Sequence, residues 1–250
     1  MEPPSDLIQS VSRALRVLEA VGESPAGCNP KVVARRCGLH LSTTYHLLRT
    51  LAYEGYLTRT ATGDYRLGLA ISDRFRDLQA SLTRLPQVPA VLRGLADTTG
   101  HSAYLARFVD GRVAITAVVE AAGSPHLEEL IPGFDEAPHA TALGKALLSR
   151  LPAAQRHDLV RTVGMRPFTA RTIREVDALD AELGDHDDRA VFVEQGQYRV
   201  EVSCAAVLVP TGDSEDPWWA LAVSAASPTF ERRRTALTAA LRTAGADLAA

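Results

Sequence analysis

The sequence predicts an α+β protein with an N-terminal winged helix-turn-helix, a connecting helix and a C-terminal domain with a largely antiparallel sheet. Three observations lead to this prediction. Apolar residues at helical spacing surround a glycine turn at Gly38, and a narrow apolar stripe follows over residues 71–85. Strand-like segments then alternate with helices to the end of the chain. We therefore divide the chain into residues 1–68, 69–85 and 86–250.

The first predicted helix covers residues 10–21. Its apolar residues recur every three or four positions, with Ser10 as the expected N-cap. These apolar residues are Val11, Leu15, Leu18 and Val21.

A second helix, over residues 30–37, begins at Pro30, a residue that favours the first helical turn. It ends at Gly38, and a third helix follows within a few residues. That third helix opens with small hydroxyl residues and carries the apolar stripe Tyr45, Leu48 and Leu51. This is the helix-turn-helix pattern, in which the last helix enters the major groove of DNA by its N-terminal end.

Two short strands then flank a turn at Gly63 and form the expected wing. Arginines on the second helix, polar residues on the third helix and arginines on the wing are the predicted contacts to double-stranded DNA, because such groups bind phosphates and base edges. The predicted DNA-binding residues are Arg35, Arg36, Ser42, Thr43, Thr44, His46, Arg49, Arg59 and Arg66.

The connecting helix, over residues 69–85, has an apolar seam with alternating steps of four and three residues. Its members are Ile71, Phe75, Leu78, Leu82 and Leu85. This spacing is typical of a helix that packs against a partner helix, and it favours a homodimer or a dimer of dimers. The alternative is a helix that covers the edge of the second domain.

Helices and strands are mixed in residues 86–250. A helix over residues 89–99 ends at Gly100, and strands over 102–109 and 112–120 flank an Asp110-Gly111 turn, a sign of an antiparallel hairpin. Further strands are predicted at residues 127–131, 189–193, 202–209 and 218–224. Helices are predicted at 141–150, after Pro152 and at the C-terminus, where Leu237, Leu241, Ala244 and Leu248 share one face.

The charge is unevenly distributed along the chain. The net charge of the 250 residues is −3, yet residues 1–68 have eight basic and six acidic side chains and a net charge of +2. The remainder carries −5, so the small positive excess lies where DNA contact is expected. One such domain has few phosphate contacts, which again favours a dimer.

Several classes of protein are disfavoured by composition. No uncharged apolar stretch approaches the ~20 residues of a membrane span, and no signal-peptide pattern opens the chain. The cysteines Cys28, Cys37 and Cys204 are too scattered for a disulfide framework or a zinc site. We therefore expect a reducing, cytoplasmic compartment, no contact with membrane, no cofactor and no bound metal.

Two separated motifs resemble the IclR family of bacterial transcription regulators. The N-terminal one comprises Ser10-Val11-Ser12-Arg13-Ala14-Leu15, the Ser42-Thr43 helix start and Tyr65-Arg66-Leu67-Gly68. The second one is His139-Ala140-Thr141-Ala142-Leu143-Gly144-Lys145-Ala146. The resemblance implies a GAF-like C-terminal domain that binds a small organic effector, such as a carboxylate, and thereby changes the affinity for operator DNA.

The resemblance also implies where the effector binds. The corresponding positions in this chain are Ala142, Leu143, Glu194, Val202, Cys204, Ala222 and Ser224. Ala222 stands where family members often have serine, and Glu201 stands where glycine is usual. One fewer hydroxyl favours an effector that is more apolar than the family's small carboxylates.

Two other functions are alternatives to regulation. An enzyme is disfavoured because His126, Glu128, Glu129 and His139 lack metal-ligand spacing, and His139, Lys145 and Cys204 form no recognisable nucleophile and base. The better alternative is a ligand-binding or scaffolding protein that has lost DNA binding.

Overall fold

The computed structural model describes residues 6–82, 86–122, 124, 133–134, 136–184, 191–212 and 217–249. The chain forms two compact units, one ending at Ser81 and one beginning at Leu82.

Three helices form most of the first unit: α1 (Gln9–Gly22), α2 (Pro30–Cys37) and α3 (Leu41–Tyr53). Gly38, with a φ of 63°, ends α2 in the left-handed conformation that glycine adopts without strain, and the chain turns there into α3. The three helices enclose a small core that contains Val17, Val33 and Leu48. The helix-turn-helix prediction is confirmed.

The wing consists of β1 (Leu57–Arg59) and β2 (Tyr65–Leu67), which pair antiparallel. Cys28 and Tyr65 exchange backbone hydrogen bonds of 2.8 and 3.0 Å, so the loop before α2 extends the hairpin and fixes the position of the wing. The connecting helix α4 (Leu69–Leu82) follows, and all of its residues except the last belong to this unit. Residues 83–85, and with them the last seam residue Leu85, lie outside the described part of the chain.

The second unit contains a sheet with the strand order β5-β4-β3-β8-β7-β6, in which every neighbouring pair is antiparallel. This confirms the predicted α+β class. The strands are β3 (Ser102–Val109), β4 (Arg112–Val119), β5 (Gly133–Phe134), β6 (Val191–Gln195), β7 (Val202–Pro210) and β8 (Trp218–Ala226). Asp110 and Gly111 both have positive φ, as the tight turn between β3 and β4 requires.

Helices cover both faces of this sheet. One face packs against α5 (Val88–Thr99) and α9 (Ser227–Ala249), and the residues Leu237, Leu241, Ala244 and Leu248 are buried there as predicted. The other face packs against α6 (Ala142–Leu148), α7 (Ala153–Val163) and α8 (Val176–Leu183). Alternate residues of each strand therefore belong to different cores.

Some sequence-based expectations are corrected. Ser10 is not the N-cap of α1, because the helix begins one residue earlier and Ile8 takes that position without a side-chain cap. Val11 and Leu15 are more than half exposed, since α1 buries the face with Val17 and Val21 instead. Helix α8 had no prediction, and the strand expected at residues 127–131 lies outside the described residues, as do His126, Glu128 and Glu129.

Candidate functional site

The exposed face of α3 carries most of the side chains predicted to contact DNA. Ser42, His46 and Arg49 are exposed, and Thr43 is partly exposed beside them. Leu48, on the opposite face, is fully buried against α1 and α2. The exposed side of α3 thus carries two hydroxyls in its first turn and an imidazole and a guanidinium further along. Helices that enter the major groove contact base edges with residues of this part.

Thr44 does not belong to that surface. Its side chain is fully buried, and its hydroxyl donates a 3.1 Å hydrogen bond to the carbonyl oxygen of His40, one turn earlier. Thr44 lies four residues before Leu48 and therefore shares the core face of α3. The prediction that Thr44 contacts DNA is wrong in this structure.

Arg35 and Arg36 are neighbours with different surroundings. Arg35 is exposed. The Arg36 guanidinium donates to the carbonyl oxygen of Ala20 at 3.0 Å and to Ser24 Oγ at 3.1 Å, and it lies 3.4 Å from Glu23 Oε2. Arg36 thus ties α2 to the end of α1, a structural use that the sequence pattern did not reveal.

The two wing arginines are both exposed, but they project from opposite faces of the hairpin. Arg59 is opposite Tyr65 in the register, whereas Arg66 is opposite Thr58. Successive residues of a strand alternate between faces, so Arg59 shares the face of Tyr65, and Arg66 lies on the other face. Arg66 Nε also donates to the carbonyl oxygen of Ala26 at 3.0 Å, which orients its guanidinium.

In the second unit, the structure brings the predicted effector residues together as a buried polar row. Across the sheet, Glu194 of β6 is opposite Cys204 of β7, Cys204 is opposite Ser224 of β8, and Ser224 is opposite Ser102 of β3. All four side chains are buried and face α6. Val202 and Ala222 are buried on the same face of the sheet, and Ala142 and Leu143 are buried at the start of α6.

Tyr104 completes the row, although the sequence analysis did not select it. Ser224 Oγ donates to the phenolic oxygen of Tyr104 at 3.3 Å. Burial raises the pKa of Tyr104, so its hydroxyl stays protonated at neutral pH. The signal that could have revealed it is the strand alternation, because Tyr104 lies two residues after Ser102 and shares its face.

Glu194 is the ionisable end of the row. Its Oε2 accepts a 3.1 Å hydrogen bond from the backbone N–H of Gln197, whereas Oε1 is buried and has no hydrogen-bond partner. Burial raises the pKa of Glu194 to about 7, and backbone hydrogen bonds and the Lys145 charge oppose this effect. Burial, with a smaller contribution from Glu194, also raises the pKa of Cys204, which is therefore a neutral thiol.

Lys145 is a buried cation that was not among the predicted effector residues. Its ammonium group forms hydrogen bonds to the Glu182 carboxylate of α8 and to the Gln197 side-chain oxygen. Its place in the Gly144-Lys145 motif is the feature of the sequence that could have pointed to Lys145. At the start of the same helix, Thr141 Oγ1 accepts the hydrogen bond of the Gly144 N–H at 3.1 Å, so this amide is already satisfied.

A sizeable cavity lies elsewhere in the second unit. It measures about 760 Å³ and lies beside the β3–β4 turn, where Phe108, Asp110, Arg150 and Trp218 are among its lining residues. None of the predicted effector residues lines it. Within the described part of the chain, no cluster of His, Cys, Asp and Glu has a metal-binding arrangement, and no helix is long and apolar enough to span a membrane.

Solved structures of other proteins share this architecture. A transcriptional regulator from Rhodococcus sp. RHA1 superposes with a TM-score of 0.81 at 21% identity, over 97% of both chains. An IclR homologue from Microbacterium hydrocarbonoxydans, solved as a complex with 4-hydroxybenzoate, has a TM-score of 0.72 at 18% identity, over 95% of this chain and 99% of that one. At such low identity these likenesses establish the fold alone.

Sequence comparison identifies relatives and a family. XynR, an HTH-type transcriptional regulator of Escherichia coli K12, is 28% identical over 209 residues, which cover 81% of each chain. The transcriptional repressor IclR of the same organism is 24% identical over 89% of this chain and 81% of its own. The model of the IclR helix-turn-helix domain matches residues 10–61, and that of the bacterial transcriptional regulator IclR C-terminal domain matches residues 85–250. Because the two models together match most of the chain, this protein belongs to the IclR family of DNA-binding transcriptional regulators.

Proposed function

We propose that the protein binds operator DNA and that a small organic effector, bound in the second unit between α6 and the polar row, changes its affinity for that DNA. The observation that carries the effector proposal is the buried Oε1 of Glu194, which has no hydrogen-bond partner. A buried polar atom left unpaired costs free energy that a ligand can recover. A protein with the same fold has been solved as a complex with 4-hydroxybenzoate, which supports binding of a small organic ligand by this fold.

The operator contacts are proposed to come from the exposed residues of α3 together with Arg35, Arg59 and Arg66. Side chains at the start of α3 would read base edges, and the arginines would bind phosphates. Three relatives have the word repressor in their names, so we propose that the DNA-bound form represses transcription. Since operator DNA is part of the bacterial chromosome, we propose that the protein acts in the cytoplasm.

A homodimer or a dimer of dimers is the proposed assembly. Phe75 and Leu78 of the α4 seam are 38% and 49% exposed, and the outer face of α1 exposes Val11 and Leu15. A second copy of the chain would cover such apolar side chains and double the number of phosphate contacts. Two symmetric subunits would recognise two half-sites separated by whole turns of the DNA helix.

The first test is a gel-shift with the upstream region of the protein's own gene, followed by footprinting. Protection of paired half-sites is the expected result. If DNA binding is absent while ligands still bind, the protein is a ligand-binding protein that has lost DNA recognition.

The effector proposal is tested by a thermal-shift screen with small carboxylates, lactones and aromatic acids, each hit being repeated with Cys204→Phe. The bulky ring should block a ligand from the polar row and abolish the ligand response, while DNA binding by the unliganded protein stays close to normal. Cys204→Ala, which removes the thiol without adding bulk, is the matched control. A hit that binds Cys204→Phe as well as the wild type would place the effector elsewhere.

A further inference from the structure

The polar row differs from an anion-binding site in its charge. Ser102, Tyr104, Cys204 and Ser224 are neutral groups, and Glu194 is the only acid among them. A ligand lying along this row therefore meets hydroxyls, a thiol and a carboxyl group.

Two of the groups that could stabilise an anionic ligand here, the Lys145 ammonium and the Gly144 N–H, are already engaged. Among the described residues, Lys145 is the only fully buried cation, and its ammonium group is bound by Glu182 and Gln197. The Gly144 N–H at the start of α6 is bound by the Thr141 hydroxyl. A carboxylate ligand would thus lose its water without gaining a free cation, which is costly in a buried site.

From this arrangement we infer that the effector is an uncharged molecule that donates an O–H or N–H hydrogen bond to Oε1 of Glu194, such as an alcohol, a polyol or an amide. The inference rests on the proposed function and makes its ligand class specific. At a pH above about 7, where Glu194 is ionised, a carboxylate at the same place would bring a second negative charge against it in a medium of low polarity.

Glu194 also has a structural role, but that role leaves Oε1 unused. Oε2 holds the loop after β6 through the Gln197 N–H, so one carboxylate oxygen is occupied by the fold and the other is available to a ligand. Replacement by glutamine keeps an oxygen acceptor for the Gln197 N–H and removes the negative charge. Glu194→Gln therefore tests how the charge of Glu194 affects the choice of ligand while the hydrogen bond that holds the loop is kept.

The test compares matched ligands that differ in charge. The probes are benzyl alcohol, benzamide and benzoate on an aromatic scaffold, and propane-1,2-diol, lactamide and lactate on a three-carbon scaffold. Their dissociation constants would be measured by calorimetry at about pH 8, where a carboxyl group with a pKa of about 7 is ionised. The wild type, Glu194→Gln and the charge-matched surface control Glu201→Gln would be compared in full-length protein.

On at least one scaffold, the neutral probes should bind the wild type about tenfold or more tightly than the acid. Glu194→Gln should reduce this preference to about threefold or less, and Glu201→Gln should leave it unchanged. Tighter binding of the acids, or a preference that survives Glu194→Gln, would overturn the inference.

DNA titrations with each probe separate this inference from the proposed function. If the acids bind the wild type better and still shift its DNA affinity, effector control stands and the neutral class is wrong. If no probe on either scaffold binds and DNA affinity never changes, the result counts against both.

Discussion

Gly144 lies against the backbone of Pro138 so closely that an added Cβ would be 2.3 Å from the Pro138 Cα and carbonyl oxygen. No Cβ tolerates such a distance, and the neighbouring atoms belong to backbone, which cannot rotate away as a side chain can. The helix α6 and the segment before it therefore approach each other only because residue 144 is glycine.

Gly144→Ala should destabilise the second unit by about 3 kcal/mol, because an inserted methyl group would force the two backbone segments apart. Urea unfolding followed by tryptophan fluorescence is a suitable measurement, since Trp218 and Trp219 both lie in β8. Gly94→Ala is the control. Gly94 lies in α5 with open space around it, so alanine there should raise stability by about 1 kcal/mol. Equal effects of the two variants would contradict the close approach.

Arg35→Ala and Arg36→Ala should have different consequences although the residues are adjacent. Loss of Arg36 removes hydrogen bonds to Ala20 and Ser24 and should lower the stability of the first unit by about 1 kcal/mol. Loss of the exposed Arg35 should weaken DNA binding with little change in stability. Thermal unfolding and gel-shift titrations on both variants provide the comparison. Matching stability losses would refute the structural role of Arg36.

Arg49→Ala and Thr43→Ala should weaken operator binding by about 1–3 kcal/mol and relax its sequence specificity, as expected for contacts to base edges. Arg66→Ala should instead weaken binding to all sequences alike and reduce the salt dependence. Fluorescence anisotropy with operator and scrambled duplexes at several salt concentrations distinguishes the two classes. Arg161→Ala, which removes an exposed arginine from α7 in the other unit, is the charge-matched control. Unchanged binding in all three variants would mean that the DNA-facing surface has been misplaced.

Phe75→Glu combined with Leu78→Glu should shift the protein towards monomer, since two charges would face the same charges of a partner helix. We expect the dissociation constant of the dimer to rise about tenfold or more. Sedimentation equilibrium would measure it, with Ser72→Glu, an exposed polar position on α4, as the control. A wild-type monomer at micromolar concentration would remove the basis for the dimer altogether.

The stability of the second unit should depend on pH through Glu194. The pKa of this residue is about 7 in the folded protein and 4.5 as the reference for an unfolded chain. Between these values the folded state holds a proton that the unfolded state has released. The contribution to the free energy of unfolding therefore falls as the pH rises from about 4.5 to about 7, by about 3 kcal/mol at most, and is constant above that range.

Glu194→Gln should lack this decline. His101 and His139, whose pKa values are lowered mainly by burial, change stability in the opposite direction, but both remain in the variant. The difference between wild type and Glu194→Gln, measured by denaturant unfolding at a series of pH values, therefore isolates the glutamate. Parallel pH profiles would show that Glu194 does not titrate in this range.

The sequence predicted most of the elements because their signals are local. Pro30 and Gly38 bracket α2, and the Asp110-Gly111 turn fixes the β3–β4 hairpin within one residue. Helix α8 gave no comparable signal, since its eight residues have neither a side-chain N-cap nor a glycine in the left-handed conformation after the last turn.

The candidate site was predictable in part, because the family resemblance selected Glu194, Cys204 and Ser224, which the sheet aligns across neighbouring strands. What the sequence could not show depends on contacts between distant segments. The engagement of Arg36 with Ala20 and that of Lys145 with Glu182 join residues 16 and 37 positions apart. Likewise, one apolar stripe of α1 looks as suitable for burial as another until the other helices are in place.

Because successive residues of β7 face opposite sides of the sheet, a ligand at the polar row can affect the helices on the other side. Cys204 faces α6, whereas the next residue, Ala205, is fully buried in the core that contains α5 and α9. Protein interiors are packed about as densely as molecular crystals, so a shift on one side of a sheet is transmitted to the other side. A ligand that moved β7 at Cys204 would therefore also move Ala205 against the helices on the opposite face. The sheet would in this way transmit ligand binding from the α6 side to α9, the C-terminal helix.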